Sequence, residues 1–268
     1  MFQRTLPSLF AATPAAWMKV MVGVKRVVDY TVRVRVKGNR IQSEGLKMSV
    51  NPFDDIAIEE AIRLKEKKLV GEVIAVTVGN KKAEEVLRTA MALGCDKAIH
   101  IVTPEGEAEG LEPLAVAKIF QKLHEEIKPD LWILGKQAVD GDLGTTPQLL
   151  AGLLDIPQGT FASKVEVSDG KARVTREIDT GHQIVELHLP CVIATDLRLN
   201  TPRFPKLPNI MKARKKPIDS RDVSSLGVDI RPRLVREAVM EPPPRKAGVK
   251  VKSVEELYDK LHNEAKVI

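Results

Sequence analysis

With 268 residues, 43% of them hydrophobic, the chain has enough apolar material for one sizeable core, which excludes global disorder. Its net charge of +6 is spread over 42 basic and 36 acidic residues, a mixed surface that names no partner class by itself. Two isolated cysteines, Cys95 and Cys191, exclude a disulfide framework and a four-ligand zinc site; both sit in apolar surroundings and read as core packing.

The first 17 residues contain Arg4, several Ala, Ser and Thr, and no acid, since Asp29 is the first acidic residue of the chain. Such composition reads as a mitochondrial presequence, with a secretory signal or a true start at Met18 as the alternatives. No apolar run approaches the roughly 20 residues that span a bilayer. KVMVGVK (19–25) is expected as a buried strand, and VRVRVKG (32–38) as an edge strand or hairpin. Asn51-Pro52-Phe53-Asp54 reads as a capped helix start, Asn51 as the cap and Pro52 in the first turn. The helix carries Ile58, Ala61, Ile62 and Leu69 inward, and the Glu59-Glu60 pair is expected on a solvated face.

Strands at 72–79, 97–102 and 131–135 alternate with helices at 81–94, from Pro113, and at 145–155. Alternation of this kind predicts a doubly wound, mostly parallel α/β sheet. Asp169-Gly170 then lies between two alternating runs and predicts a hairpin, so an antiparallel extension should join the parallel sheet. After Leu197 the chain turns Pro-rich and basic, with seven Lys or Arg and no acid between Asp196 and Asp219. Residues 236–268 read as an arm on a Pro-rich tether, ending in a helix with a Ser253/Glu256 capping box.

Ligands of open α/β sheets bind beyond the carboxyl ends of the strands. The segment GKQAVDGDLGTTPQ (135–148) leaves a strand, crosses Gly141 and Gly144, and enters a helix at Thr145 or Thr146. Glycines and a helix N-terminus suit a phosphate. Asp140 and Asp142 oppose a polyphosphate and suit ribose hydroxyls or a base amine, so a monophosphate is the better match. An ordinary strand–helix loop is the competing reading. There is no GxGxxG, Walker loop, HExxH or GxSxG, and the five histidines are scattered. In the basic segment, Pro205 and Pro208 stiffen the chain around Leu207, which reads either as an apolar anchor ringed by charge or as a residue folded inward. Only Phe204 accompanies those charges as an aromatic, which argues against nucleic acid.

VGVKRVVDY, SVNPFDDIAIEEAIRLKEK, LGKQAVDGD, LDIPQGTFAS, REIDTG and DLRLNTPRFPKLPNIMKARKK together closely resemble the β subunit of electron-transfer flavoproteins, from about Lys19 to the C-terminus. The resemblance implies an adenine-nucleotide α-hydrolase-like domain at 18–235 and an arm at 236–268 that packs on a larger α subunit. It implies FAD held mainly by α, with Tyr30 and Phe53 close to it. It implies a structural AMP at Gly23, Asn51, Pro52, Phe53, Asp54, Val78, Asp140, Gly141, Asp142, Leu143, Gly144, Thr145, Thr146, Pro147, Gln148, Leu149, Leu150 and Ala151. It further implies a partner loop at 197–216, with Leu207, Pro208, Ile210, Met211, Lys212 and Lys215 facing acyl-CoA dehydrogenases. Lys212 and Lys215 match lysines methylated in some members. Thr145 and Pro147 depart from the Gln and Gly that many members carry, and Pro147 lacks an N–H for the phosphate.

The leading expectation is therefore a non-enzymatic electron carrier of the mitochondrial matrix, passing electrons from acyl-CoA and related dehydrogenases to a membrane ubiquinone oxidoreductase. An adenine-nucleotide-binding regulatory module is the second reading. An enzyme hydrolysing or adenylating in the same cleft is the third.

Overall fold

The computed structural model describes residues 18–42, 45–104, 110–244 and 247–268; the expected presequence at 1–17 lies outside them. The chain separates into two compact units, one formed by residues up to 33 and 43–235, the other by 34–42 and 236–268. The strands are β1 (Lys19–Gly23), β2 (Arg26–Val28), β3 (Arg35–Lys37), β4 (Arg40–Gln42), β5 (Met48–Val50), β6 (Glu72–Gly79), β7 (Lys97–Val102), β8 (Leu131–Gly135), β9 (Gln158–Ser168), β10 (Lys171–Ile178), β11 (Gly181–His188), β12 (Cys191–Thr195) and β13 (Asp219–Asp222). The helices are α1 (Pro52–Glu66), α2 (Glu84–Leu93), α3 (Pro113–Ile127), α4 (Thr146–Leu154), α5 (Leu207–Ala213) and α6 (Val254–Asp259).

Nine strands of the larger unit form one sheet in the order β11-β10-β9-β12-β8-β1-β6-β7-β13. The run from β12 to β13 is parallel. The β9–β10–β11 meander adds the expected antiparallel extension, with β9 itself parallel to β12. KVMVG, LWILG and CVIAT are almost wholly apolar because helices cover both faces of the sheet. Alternate side chains feed two layers: Val20 and Val22 pack with Ile58, Leu64 and Leu87 of α1 and α2, whereas Met21 packs with Ile119, Phe120 and Leu150 of α3 and α4. Cys95 and Cys191 are buried in the first layer, and burial pushes both thiols up to about 12, in keeping with packing rather than reactivity.

Several sequence expectations need correction. Glu59 and Glu60 are buried, because residues of the segment after β12 reach them as partners. The 197–216 segment, read as a Pro-stiffened loop, contains a short helix, α5, with Pro208 in its first turn, where a missing N–H costs nothing. Strand β13, sequence DSRD, carries no β-branched signal and is recruited by the open edge of β7.

In the smaller unit, β3 and β4 form the hairpin. Asn39, at φ +61 in its turn, donates from Nδ2 to the Glu237 carbonyl (2.8 Å) and accepts at Oδ1 from the Val239 amide (2.7 Å). Val36 N–H donates to the Glu241 carboxylate (3.2 Å). The arm's terminal helix starts at the Ser253 cap, whose hydroxyl accepts from the Glu256 amide (3.2 Å); the Glu256 carboxylate in turn accepts from the Lys252 amide (2.8 Å).

Candidate functional site

β1 sits between β6 and β8, and the chain leaves it through α1 to one side of the sheet before returning on the other. The carboxyl ends of β1 and β8 therefore flank a topological switch point, where the two crossovers diverge and leave a crevice. Gly23 ends β1 and Gly135 ends β8. A Cβ on Gly23 would stand 2.6 Å from Leu134 Cδ2, and one on Gly135 would stand 2.3 Å from Asp54 Oδ1 and 2.8 Å from Phe53 Cβ. Both glycines are thus required by close approach, Gly135 by the first turn of α1.

Asn51 does not cap α1 with its side chain. It bridges to the next loop instead: Nδ2 donates to the Gln137 carbonyl (2.9 Å), and Oδ1 accepts from the Val139 amide (3.1 Å). A buried amide paired at both ends fixes the 136–139 segment against the start of α1. Asp54, also buried, accepts from the Lys25 amide (2.7 Å), which ties the exit of β1 to the same turn. Burial pushes the Asp54 carboxyl up to about 7, with the Lys25 amide and Asn51 opposing that shift. The floor of the crevice is consequently less negative than its sequence implies.

The two loop carboxylates are also less free than their sequence suggests. Lys25 Nζ lies 2.7 Å from Asp140, and Gln137 Nε2 donates to Asp142 (2.9 Å). Asp142 (φ +49) and Gly144 (φ +57) both take left-handed backbone and steer the chain into α4. No side chain caps α4, since neither Thr145 nor Thr146 folds back onto it. The first ladder bond runs from the Leu149 amide to the Thr145 carbonyl (3.0 Å), so the Thr146 and Gln148 amides precede the ladder, with Pro147 between them contributing none. Gln148 Oε1 is a buried acceptor without a protein partner. Gln148 lines a shallow apolar groove of about 350 Å³ with Leu114, Thr145, Leu149, Gly152 and Leu153. The side chains of Leu150 and Ala151 lie in the α3/α4 core, whereas Val78 is half-buried and Gly141 and Leu143 are exposed.

The segment from 197 to 216 is pinned at both ends. Arg203 forms a fork onto α1, from Nε to Glu59 (2.8 Å) and from Nη1 and Nη2 to Glu66 (2.5 and 2.9 Å). Asn200 donates to the Ile56 carbonyl (3.1 Å) and Glu60 (3.0 Å). At the far end, Arg88 of α2 donates to the carbonyls of Ala213 (2.9 Å) and Lys216 (2.5 Å). Burial alone would push Glu59 up, but the bonds from Arg203 and Arg63 outweigh it and hold the carboxyl below its usual range. Between the pins, Ile210 and Ala213 pack inward while Phe204 (92%), Leu207 (71%) and Met211 (53%) face solvent. Leu207 and Met211 are one turn apart on α5, and Pro208, Lys212 and Lys215 are exposed beside them. The inward reading of Leu207 is therefore not the observed one. The Arg203 pin was not legible beforehand; its only sequence signal is the Glu59/Glu66 spacing on α1.

Tyr30 is 74% exposed just beyond β2, on a turn held by buried Asp29, which accepts from the Thr31 amide (3.0 Å) and hydroxyl (2.7 Å). Phe53 is buried, and its carbonyl accepts from the Thr195 hydroxyl (3.0 Å) at the end of β12. Among the described residues, no group of acidic, histidine or cysteine side chains could hold a metal ion, and no helix is long and apolar enough to cross a membrane.

Residues 39–226 match the family model of the electron transfer flavoprotein domain. The chain is 52% identical over 248 residues to human electron transfer flavoprotein subunit beta, covering 92% of this chain and 97% of the relative. It is 54% identical to the subunit beta of Bradyrhizobium diazoefficiens, covering 94% of this chain and all of that protein. A rice relative named electron transfer flavoprotein subunit beta, mitochondrial, is 52% identical over the same 94%. The chain thus belongs to the electron-transfer flavoprotein β-subunit family, whose members are electron carriers rather than catalytic enzymes.

Proposed function

We propose that this chain pairs with an electron-transfer flavoprotein α subunit, shields the FAD held mainly by that subunit, and docks acyl-CoA and related dehydrogenases through residues 197–216. Electrons then pass to a membrane ubiquinone oxidoreductase. The observation that carries the docking role is Leu207, exposed on a segment clamped at both ends. An apolar residue held out on a rigid base loses little entropy on docking, and the surrounding Lys and Arg speed encounter with an acidic partner. The flavin, when bound, supplies the one- and two-electron chemistry. This chain's contribution is to present Tyr30 and Phe53 toward it and to exclude water.

The strand-end crevice fits a structural AMP. Gly23 and Gly135 let the strand ends pack tightly against Leu134, Phe53 and Asp54 beneath the crevice, and the first amides of α4 can meet one phosphate. Lys25 offsets Asp140, which makes a monoanion or dianion tolerable there. Gly141, Asp142 and Gly144 to Gln148 would surround it. A mitochondrial matrix location accords with the rice relative's name and with the basic, acid-free residues 1–17.

Co-purification of the tagged chain from its native source, followed by a visible spectrum, tests the reading. A second subunit with oxidised-flavin bands is the expected result. A colourless single chain carrying only adenine nucleotide would replace it with the binding-module reading. In the assembled complex, Leu207→Ala should slow reduction by a dehydrogenase with flavin content unchanged; undiminished coupling would remove Leu207 as the anchor.

A further inference from the structure

Phe161 takes φ +55, a left-handed backbone that an aromatic residue rarely adopts. It lies where β9 carries an extra residue against β12: Ile193 pairs with Gly159, but Thr195 pairs with Ala162. A bulge of this kind turns a side chain away from the regular pleat. The distortion is held from both sides. Arg176 donates to the Thr160 carbonyl (2.8 Å) and hydroxyl (2.6 Å), and the Asp196 amide donates to the Ala162 carbonyl (3.0 Å). Strain that the surroundings fix in place is a mark of a working position.

The bulge carries the Phe161 ring to the same ammonium that covers Phe53. Lys136 Nζ stands 5.3 Å from the Phe53 ring centre and 5.5 Å from that of Phe161, and 2.7 Å from the Asp196 carboxylate. Phe53 is only 6% exposed, whereas Phe161 is 40% exposed. Of the two rings sharing this cation, Phe161 is the one with surface left to offer.

We propose that Phe161 is a further flavin-contacting residue, the outer ring of a Phe53–Lys136–Phe161 stack that meets the flavin carried by the α subunit. The inference rests on the reading that Phe53 lies close to that flavin. An electron-poor planar ring system approaching Phe53 would meet the exposed aromatic surface beside it, and offset or edge contact between aromatic rings is favourable. Because Asp196 already balances Lys136, the stack acts by contact, with little effect on flavin potential.

The test uses the complete two-subunit complex carrying Phe161→Gly or Phe161→Leu. Glycine relieves the left-handed backbone, which offsets part of the packing lost with the ring, so that variant should remain folded. In both variants flavin release should quicken by about 2- to 12-fold, the range expected for losing one aromatic pair. Unchanged flavin release in both variants, with flavin bands normal, would overturn the contact. A wild-type complex without flavin bands would overturn the underlying reading, and the contact with it.

Discussion

Asp54→Asn isolates a buried carboxyl whose ionisation the fold opposes. The side chain is fully enclosed, accepts from the Lys25 amide and is raised from 3.8 to about 7, chiefly by burial. A carboxyl raised in this way favours the folded state when protonated. Its contribution is complete below the unfolded value near 4 and is lost as pH rises toward 7. At about 1.4 kcal/mol per unit, the loss over that window is on the order of 4 kcal/mol. Asparagine keeps the shape and an acceptor for Lys25 and has no charge to bury. Urea unfolding of the two complexes from pH 4 to pH 8 gives the difference directly, since all other carboxylates are common to both. The variants should be nearly equal at pH 4, diverge in favour of asparagine up to about pH 7, and run parallel above it. Parallel curves over the whole range would show that Asp54 ionises normally and that burial does not control it.

Arg203→Ala should destabilise the complex by about 3 kcal/mol, because Glu59 would be left buried with only Arg63 beside it; thermal unfolding measures this, and Glu59→Gln in the same chain should restore part of the loss. Gly135→Ala should cost about 1–3 kcal/mol through overlap with Asp54 and Phe53, read by denaturant midpoint, whereas Gly152→Ala, with open space around it, should cost nothing. Asn39→Gly keeps the left-handed turn but removes both side-chain bonds to the arm; hydrogen exchange at residue 239 should accelerate, reflecting about 1–2 kcal/mol of lost protection.

The sheet was legible because its strands are apolar runs between helices with clear starts and stops. Val20 to Val22, Val73 to Val76 and Leu131 to Leu134 have almost no polar residues, which only a doubly covered sheet accommodates. Local punctuation was equally readable: Asp169-Gly170 formed its hairpin, and Gly94 closed α2 with φ +140. Asn51 marks the start of α1 as expected, but its amide serves Gln137 and Val139, 86 and 88 residues away. Helix propensity speaks only for the backbone position, while the side chain follows whichever partner the fold delivers.

The alternation of apolar strands and punctuated helices determined the doubly wound core, and the family motifs determined the carrier identity. Tertiary structure decided which charges are solvated and which are buried. Glu59 and Glu60 look like surface residues until Asn200 and Arg203, some 140 residues later, fold over them. Asp140 looks like a free acid until Lys25 is brought to 2.7 Å. The Phe53–Lys136–Phe161 stack has no local signal either, for a bulge and a positive φ at an aromatic residue arise from strand register against β12. Periodicity and punctuation are properties of neighbours in sequence, whereas burial of charge and ring contact depend on neighbours in space, which the chain acquires only on folding.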